Sequence, residues 1–186
     1  MGLTEKSLEE LFKEFASKKP TPGGGSAAAL AGSLAAALVE MVGKLTDTET
    51  AKAITKEAVN IRLRLTKLID EDGEAFKAFM KAPADKKQET LNHATLVPLE
   101  TAELSYRILE LANEIARNGN KNAITDAGMA SLLADTAIRG AQLNVRINLR
   151  SIKDGKFRKW IVERLKRFSD SLDKSQATMK YISEQL

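Results

Sequence analysis

One carboxylate stands out by its spacing. Between residues 47 and 81 the apolar positions step four, three, four, three through Ile54, Ala58, Ile61, Leu65 and Leu68. The next step lands on Asp72, then on Ala75 and Phe79. A carboxylate in an apolar helical seam is costly unless it is paired, bound or protonated. Desolvation raises its pKa and suits it to proton transfer near neutral pH. An aspartate in such a position can instead serve the fold alone, by pairing with an arginine, an asparagine or a helix N-terminus. Gly73 follows directly, a residue costing about 1 kcal/mol relative to Ala inside a helix. Asp70, Glu71 and Glu74 fall off the seam, where solvated faces carry such charges.

Two asparagine clusters come next. Asn118, Asn120 and Asn122 punctuate the segment NGNKNAITD, and Asn144 and Asn148 lie one helical turn apart within QLNVRINL. Asparagine is a poor helix former, and a buried one must be hydrogen-bonded. Such a residue can be a register device; a stacked pair with Arg146 and Arg150 beside it points to a polar pocket.

The third feature is PTPGGGSAAALAGSLAAALV, residues 20–39, uncharged in a chain with 29% charged residues. A membrane anchor is set aside on length, since Ser26–Val39 gives ~21 Å of helix against a ~30 Å hydrocarbon core. A phosphate loop lacks the GK[ST] that should follow the glycines. Gly23, Gly25 and Ala28 match G-x-G-x-x-A, but that fingerprint needs a preceding strand. The spacing predicts a packed helix from about Ser26 to Leu45, whose Ala29, Gly32, Ala36 and Gly43 admit close neighbours. Ser26 is its expected N-cap. The N–H groups of Gly24 to Ala28 then face outward, available to an anionic or carbonyl group, although a plain loop-to-helix turn reads the same way.

Composition excludes several chemistries. There is no cysteine and one histidine, His93, so disulfide scaffolds, cysteine nucleophiles and zinc clusters are not expected, and no metal site is assigned. His93 reads as a surface or capping residue. No Ser-His-Asp arrangement is apparent, and Ser26 lacks an identifiable base. The start, MGLTEKSLEELFKEF, is too acidic for a signal peptide, and a cytoplasmic protein is expected. Net charge is +4 with both signs interspersed, a mild preference for anionic ligands.

Helices must position these residues. Leu8, Leu11, Phe12 and Phe15 give a first amphipathic helix. The small-residue helix is second. A third starts at Asp47 or Thr48 and ends near Lys81, before Pro83. A fourth starts near Asp85, where D-x-x-Q matches a capping box, ends near Asn118–Gly119 and should kink around Ala94 because of Pro98. The fifth runs from Thr125–Asp126 to Ser151. The sixth runs from Gly155 to the C-terminus with Trp160, Leu165, Phe168, Leu172, Met179 and Ile182 inward. No segment alternates with a strand's period. The expectation is an all-α bundle of about six helices in one domain, residues 1–186.

Taken together, PTPGGGSAAALAG, IDEDGEAFKAFMKA, VPLETAEL and GNKNAITDAGMAS…RGAQLNVRINL resemble the cyclodeaminase/cyclohydrolase family, in order and over nearly the whole chain. This family forms the C-terminal half of formiminotransferase-cyclodeaminase and also occurs as stand-alone bacterial proteins, the form this sequence resembles. The resemblance implies an all-α homodimer acting on a tetrahydrofolate derivative without metal or redox cofactor. One reaction closes 5-formiminotetrahydrofolate to 5,10-methenyltetrahydrofolate and releases ammonia. The other opens the methenyl form with water to 10-formyltetrahydrofolate. The family's catalytic aspartate falls in IDEDGEAF and is carried onto Asp72. Pro22, Gly23, Gly24, Gly25 and Ser26 are then expected to hold a polar edge of the folate. Asn118, Asn120, Asn144 and Asn148 are expected to read pterin or amide groups, and Lys121, Arg146 or Arg150 to meet glutamate carboxylates.

Two readings without catalysis stand beside this one. In a helical dimerisation or scaffold protein, Asp72 and the asparagines would only fix register. A nucleic-acid binder is prompted by KDGKFRKW and ERLKRF, but Trp160 and Phe168 fit an inward face better, so neither nucleic acid nor membrane is an expected partner.

Overall fold

The computed structural model describes residues 2–186, and among them every regular element is helical. The chain forms α1 (Leu8–Phe15), α2 (Gly24–Lys44), α3 (Glu49–Lys81), α4 (Lys87–Asn118), α5 (Ile124–Leu149), α6 (Gly155–Lys166) and α7 (Ser171–Ser183), with short 3-10 turns at Leu3–Glu5 and Lys121–Ala123. The expected sixth helix is thus two. Its chain turns at residues 167–170, which lets Phe168 enter the core while Trp160 and Leu172 stay 44% and 42% exposed. Trp160 instead lies against Phe157 and under the Arg164 guanidinium.

Helix α2 is the centre of the bundle and packs against α3, α4 and α5. Its small residues explain why. A Cβ on Gly32 would stand 2.5 Å from the Ser105 hydroxyl of α4, and one on Gly43 would stand 2.2 Å from the Thr55 hydroxyl of α3. Ala29, Ala35, Ala36 and Val39 are fully buried. The length argument against a membrane span does not survive, because α2 has 21 residues and is long and apolar enough to cross one. Over half of that apolar window is nevertheless buried inside the bundle.

The seam of α3 is as its spacing requires, with Ile54, Ala58, Ile61, Leu65 and Leu68 all in the core. Thr48 caps this helix, its hydroxyl accepting from the Ala51 N–H at 3.1 Å. The capping box expected at Asp85 does not form. Helix α4 begins after Lys86 with no side-chain cap. Pro98 lies within α4, which continues through it.

Candidate active site

Asp72 meets the N-terminus of α2. Its carboxylate Oδ2 accepts from the Ser26 hydroxyl at 3.0 Å. Ser26 is fully buried and lies in the first turn of the helix; the N-cap is Gly23, which has no side chain to give. The expected roles are therefore exchanged. Ser26 does not cap α2, and the carboxylate of α3 takes the cap's place, favoured by the positive end of the helix dipole. Gly25 makes this approach possible, since a Cβ there would stand 2.0 Å from Asp72 Oδ1.

Burial nevertheless wins over these contacts. Asp72 is half-buried. Desolvation pushes its carboxyl above the ordinary aspartate range, and the hydroxyl and backbone N–H of Ser26 only partly draw it back. The carboxyl borders a cavity of about 180 Å3 lined by residues of five segments, among them Gly23, Gly24, Gly25, Phe76, Asn144 and Asn148. A proton-transfer group on a desolvated cavity wall is chemically competent, so pairing with a helix N-terminus and access to a cavity coexist at this aspartate.

The two asparagines of α5 line the same cavity, and each has half of its amide engaged. Asn144 Nδ2 donates to Gly140 O at 2.9 Å within its own helix. Asn148 Nδ2 donates to Ala94 O at 3.0 Å. The second bond has a cause in the sequence of α4. Pro98 has no N–H, so the carbonyl four residues earlier loses its helical donor, and Asn148 supplies one. Gly24 lies beside Asn144, where a Cβ would approach Nδ2 to 3.2 Å.

Other expected site residues are elsewhere in the chain. Pro22 is buried in the loop before Gly23, next to the cavity-lining Pro20 and Thr21. Asn120 receives a bond from neither Asp72 nor the glycine turn. Its backbone N–H donates to Thr46 Oγ1 at 2.9 Å and its amide to Leu45 O at 3.1 Å, at the opposite end of α2. That end lies ~30 Å from Gly24 along a 21-residue helix. Lys121 is held there too, donating to Arg117 O and to the Tyr181 hydroxyl. Asn118 ends α4 and is exposed, as are Arg146, Arg150 and His93. Asp70 anchors the N-terminal segment, accepting from the Leu3 N–H at 2.5 Å and the Thr4 hydroxyl at 2.8 Å. Glu71 joins Arg64 and Glu100 in an ion-pair network between α3 and α4.

Phe76, Ala94, Pro98 and Ile147 were not expected in the cavity, though all line it. Phe76 was legible, because it follows Asp72 by four residues and shares its face. The Ala94 carbonyl was legible as well, as the acceptor that a proline at 98 leaves open. Ile147 carried no such signal.

An all-helical bundle with one desolvated carboxyl sharing a cavity with two helical amides is the class of protein these features define. The chain belongs to the formiminotransferase-cyclodeaminase family, whose model matches residues 7–167. It is 37% identical to the methenyltetrahydrofolate cyclohydrolase of Methylorubrum extorquens, over 96% of this chain and 94% of that protein. It is 32% identical to the formimidoyltransferase-cyclodeaminase of Sus scrofa over 88% of this chain, but spans only 34% of that longer protein. The crystal structure of formiminotetrahydrofolate cyclodeaminase from Thermotoga maritima superposes with a TM-score of 0.86 at 29% identity, covering 97% of this chain and 96% of that one.

Proposed function

We propose that this protein is a folate one-carbon enzyme that converts 5-formiminotetrahydrofolate to 5,10-methenyltetrahydrofolate with release of ammonia, with Asp72 as its proton-transfer group. The observation that carries this reading is the Asp72 carboxyl, raised by burial and set on a cavity wall against Gly25. Family membership supplies the substrate class.

The chemistry closes on one carboxyl. The N10 lone pair attacks the formimino carbon of the protonated formimino group, and ionised Asp72 takes the proton from N10 as the new bond forms. Asp72 returns that proton to the exocyclic nitrogen. The carbon–nitrogen bond then breaks, ammonia departs with the bonding pair, and the positive charge ends on the N5–C–N10 bridge. No electrons are exchanged with a redox partner, so the reaction as written calls for no redox cofactor, and both proton movements run through the one carboxyl.

A second reading is favoured by the 37% identity to a methenyltetrahydrofolate cyclohydrolase matched almost end to end. Water would attack the bridge carbon while Asp72 takes its proton. Asp72 would pass that proton to N5 as the C–N5 bond breaks, the second water proton would leave to solvent, and 10-formyltetrahydrofolate would result. Supplying the protein separately with the two folates, and following the near-UV band of the methenyl form, separates the readings. Growth of the band from the formimino substrate marks the deaminase; decay of the band faster than in buffer marks the hydrolase. No effect on either folate refutes both.

A homodimer is part of this reading. Ala27, Ala31, Leu34, Leu38, Met41 and Leu45 lie at four-three spacing along the outer side of α2, all exposed or half-buried. Exposed Met129, Leu132 and Leu143 on α5 add apolar surface of the kind that marks association. A water-soluble cytoplasmic dimer covering that surface, without nucleic acid or membrane as partner, accounts for it. A monomer mass by sedimentation at micromolar concentration would refute the dimer.

A further inference from the structure

We propose that Asn144 and Asn148 form an oxygen wall that recognises the positively charged N–C–N centre of the folate. The inference rests on the folate reading above. It starts from where each amide nitrogen goes. Asn144 Nδ2 is taken by Gly140 O and Asn148 Nδ2 by Ala94 O. An asparagine amide has two donors on nitrogen and an acceptor on oxygen, so a carbonyl bound to the nitrogen fixes which end points away. Neither Oδ1 has a partner among the described residues, and neither is sealed from solvent. Both side chains line the cavity that Asp72 borders. To that cavity the wall therefore offers acceptors.

Pro98 sets this polarity at Asn148. An ordinary residue at 98 would donate its own N–H to Ala94 O, and the Asn148 amide would lose its reason to face that way. Proline thus converts an ambivalent amide into a directed acceptor. Asn148 is a positioning and specificity residue in this account, and its orientation is imposed from α4.

The ligand class follows from that polarity. A protonated formimino group and the methenyl bridge both place a delocalised positive charge on an N–C–N unit. Two fixed carbonyl-type oxygens stabilise such a centre, while a neutral formyl group, with a lone-pair oxygen of its own, gains nothing from them. The wall would therefore discriminate by charge at the one-carbon group.

The test compares two folates that share pterin and tail: cationic 5,10-methenyltetrahydrofolate and neutral 5-formyltetrahydrofolate. Calorimetric titrations use the full chain carrying Asp72→Asn, so that the protein turns over neither ligand, with the methenyl concentration corrected for its decay in buffer. Because Asn148→Leu alone would leave Ala94 O unpaired, the variant used is Pro98→Ala with Asn148→Leu, in which the backbone N–H gained at position 98 restores that bond. Its affinity for the methenyl form, whose bridge bears no N–H, should fall about ten- to a hundredfold through loss of a charge–dipole contact in a partly desolvated cavity, with less than about a threefold change for the 5-formyl form. Pro98→Ala alone should lose part of the same selectivity, because Asn148 is then free to turn. Equal losses for both folates would put the asparagines on the shared pterin edge and overturn the proposal, as would no loss for either. If neither the wild type nor the Asp72→Asn parent binds either folate, the functional reading fails first and this inference falls with it; binding by the wild type alone would overturn the retained-binding prediction for Asp72→Asn and move the titrations to the wild-type background.

Discussion

Gly25→Ala should disable the site while leaving the bundle folded. The added Cβ would stand 2.0 Å from Asp72 Oδ1, 2.5 Å from its Cγ and 2.7 Å from Oδ2, so the whole carboxyl is in the way. Ordinary contact starts at 3.4 Å, and the carboxyl or the first turn of α2 must therefore shift by about 1.4 Å, a displacement at which misplaced catalytic groups lose ~10²-fold in rate. Aspartate is too short to relieve the clash at a flexible far end, and Ser26 ties it on the other side. Overpacking of this kind costs about 1–3 kcal/mol, and for a chain of this size each kcal/mol lowers Tm by roughly 2–4 °C. Gly73→Ala is the matched control. Its Cβ would meet Thr21 at 3.5 Å, an ordinary contact, and alanine gains about 1 kcal/mol of helix propensity. The assay is initial rate on each folate beside a thermal melt. Gly73→Ala should be active and slightly more stable; Gly25→Ala should lose about 10²-fold in kcat/KM with a modest fall in Tm. Equal activity in the two variants would refute the claim that close approach of α2 to Asp72 builds the site.

The remaining predictions concern the carboxylates. Asp72→Asn keeps the size and the acceptor for the Ser26 hydroxyl but cannot move a proton, so turnover should drop ~10²–10⁴-fold with folate binding retained; a normal rate would make Asp72 a purely structural residue. The same variant should also change the pH dependence of stability. Because the folded pKa of Asp72 is raised, the folded chain holds that proton more tightly than the unfolded one, and wild-type stability falls as pH rises from the unfolded value near ~4 through the folded value. Asp72→Asn should therefore melt higher than wild type at pH 7.5, with the gap closing below about pH 4; an equal gap at both pH values would contradict the burial account. Asp70→Asn should weaken the hold on Leu3 and Thr4 and speed proteolysis near the N-terminus, yet leave kcat within about threefold, since its carboxyl is committed to that segment rather than to the reacting centre; a loss as large as that of Asp72→Asn would overturn the assignment.

Periodicity and residue size determined much of this protein in advance. The four-three seam of α3 identified Asp72 because a single charge in an apolar stripe is an energetic exception visible in one dimension. The small residues of α2 announced close helix packing, and Gly32 and Gly43 bear it out. The tertiary structure decided what depends on one helix meeting another. Ser26 looked like a cap, but a loop-to-helix boundary alone does not reveal that a carboxylate from α3 will fill that place. Asn120 and Asn148 share a residue type, yet one ties the α4–α5 connection to Leu45 and Thr46 while the other answers the carbonyl opened by Pro98. Sequence spacing sets which residues share a helix face; only the packing of α5 against α4 determines which carbonyl a side chain reaches, and hence which end of its amide is left for a ligand.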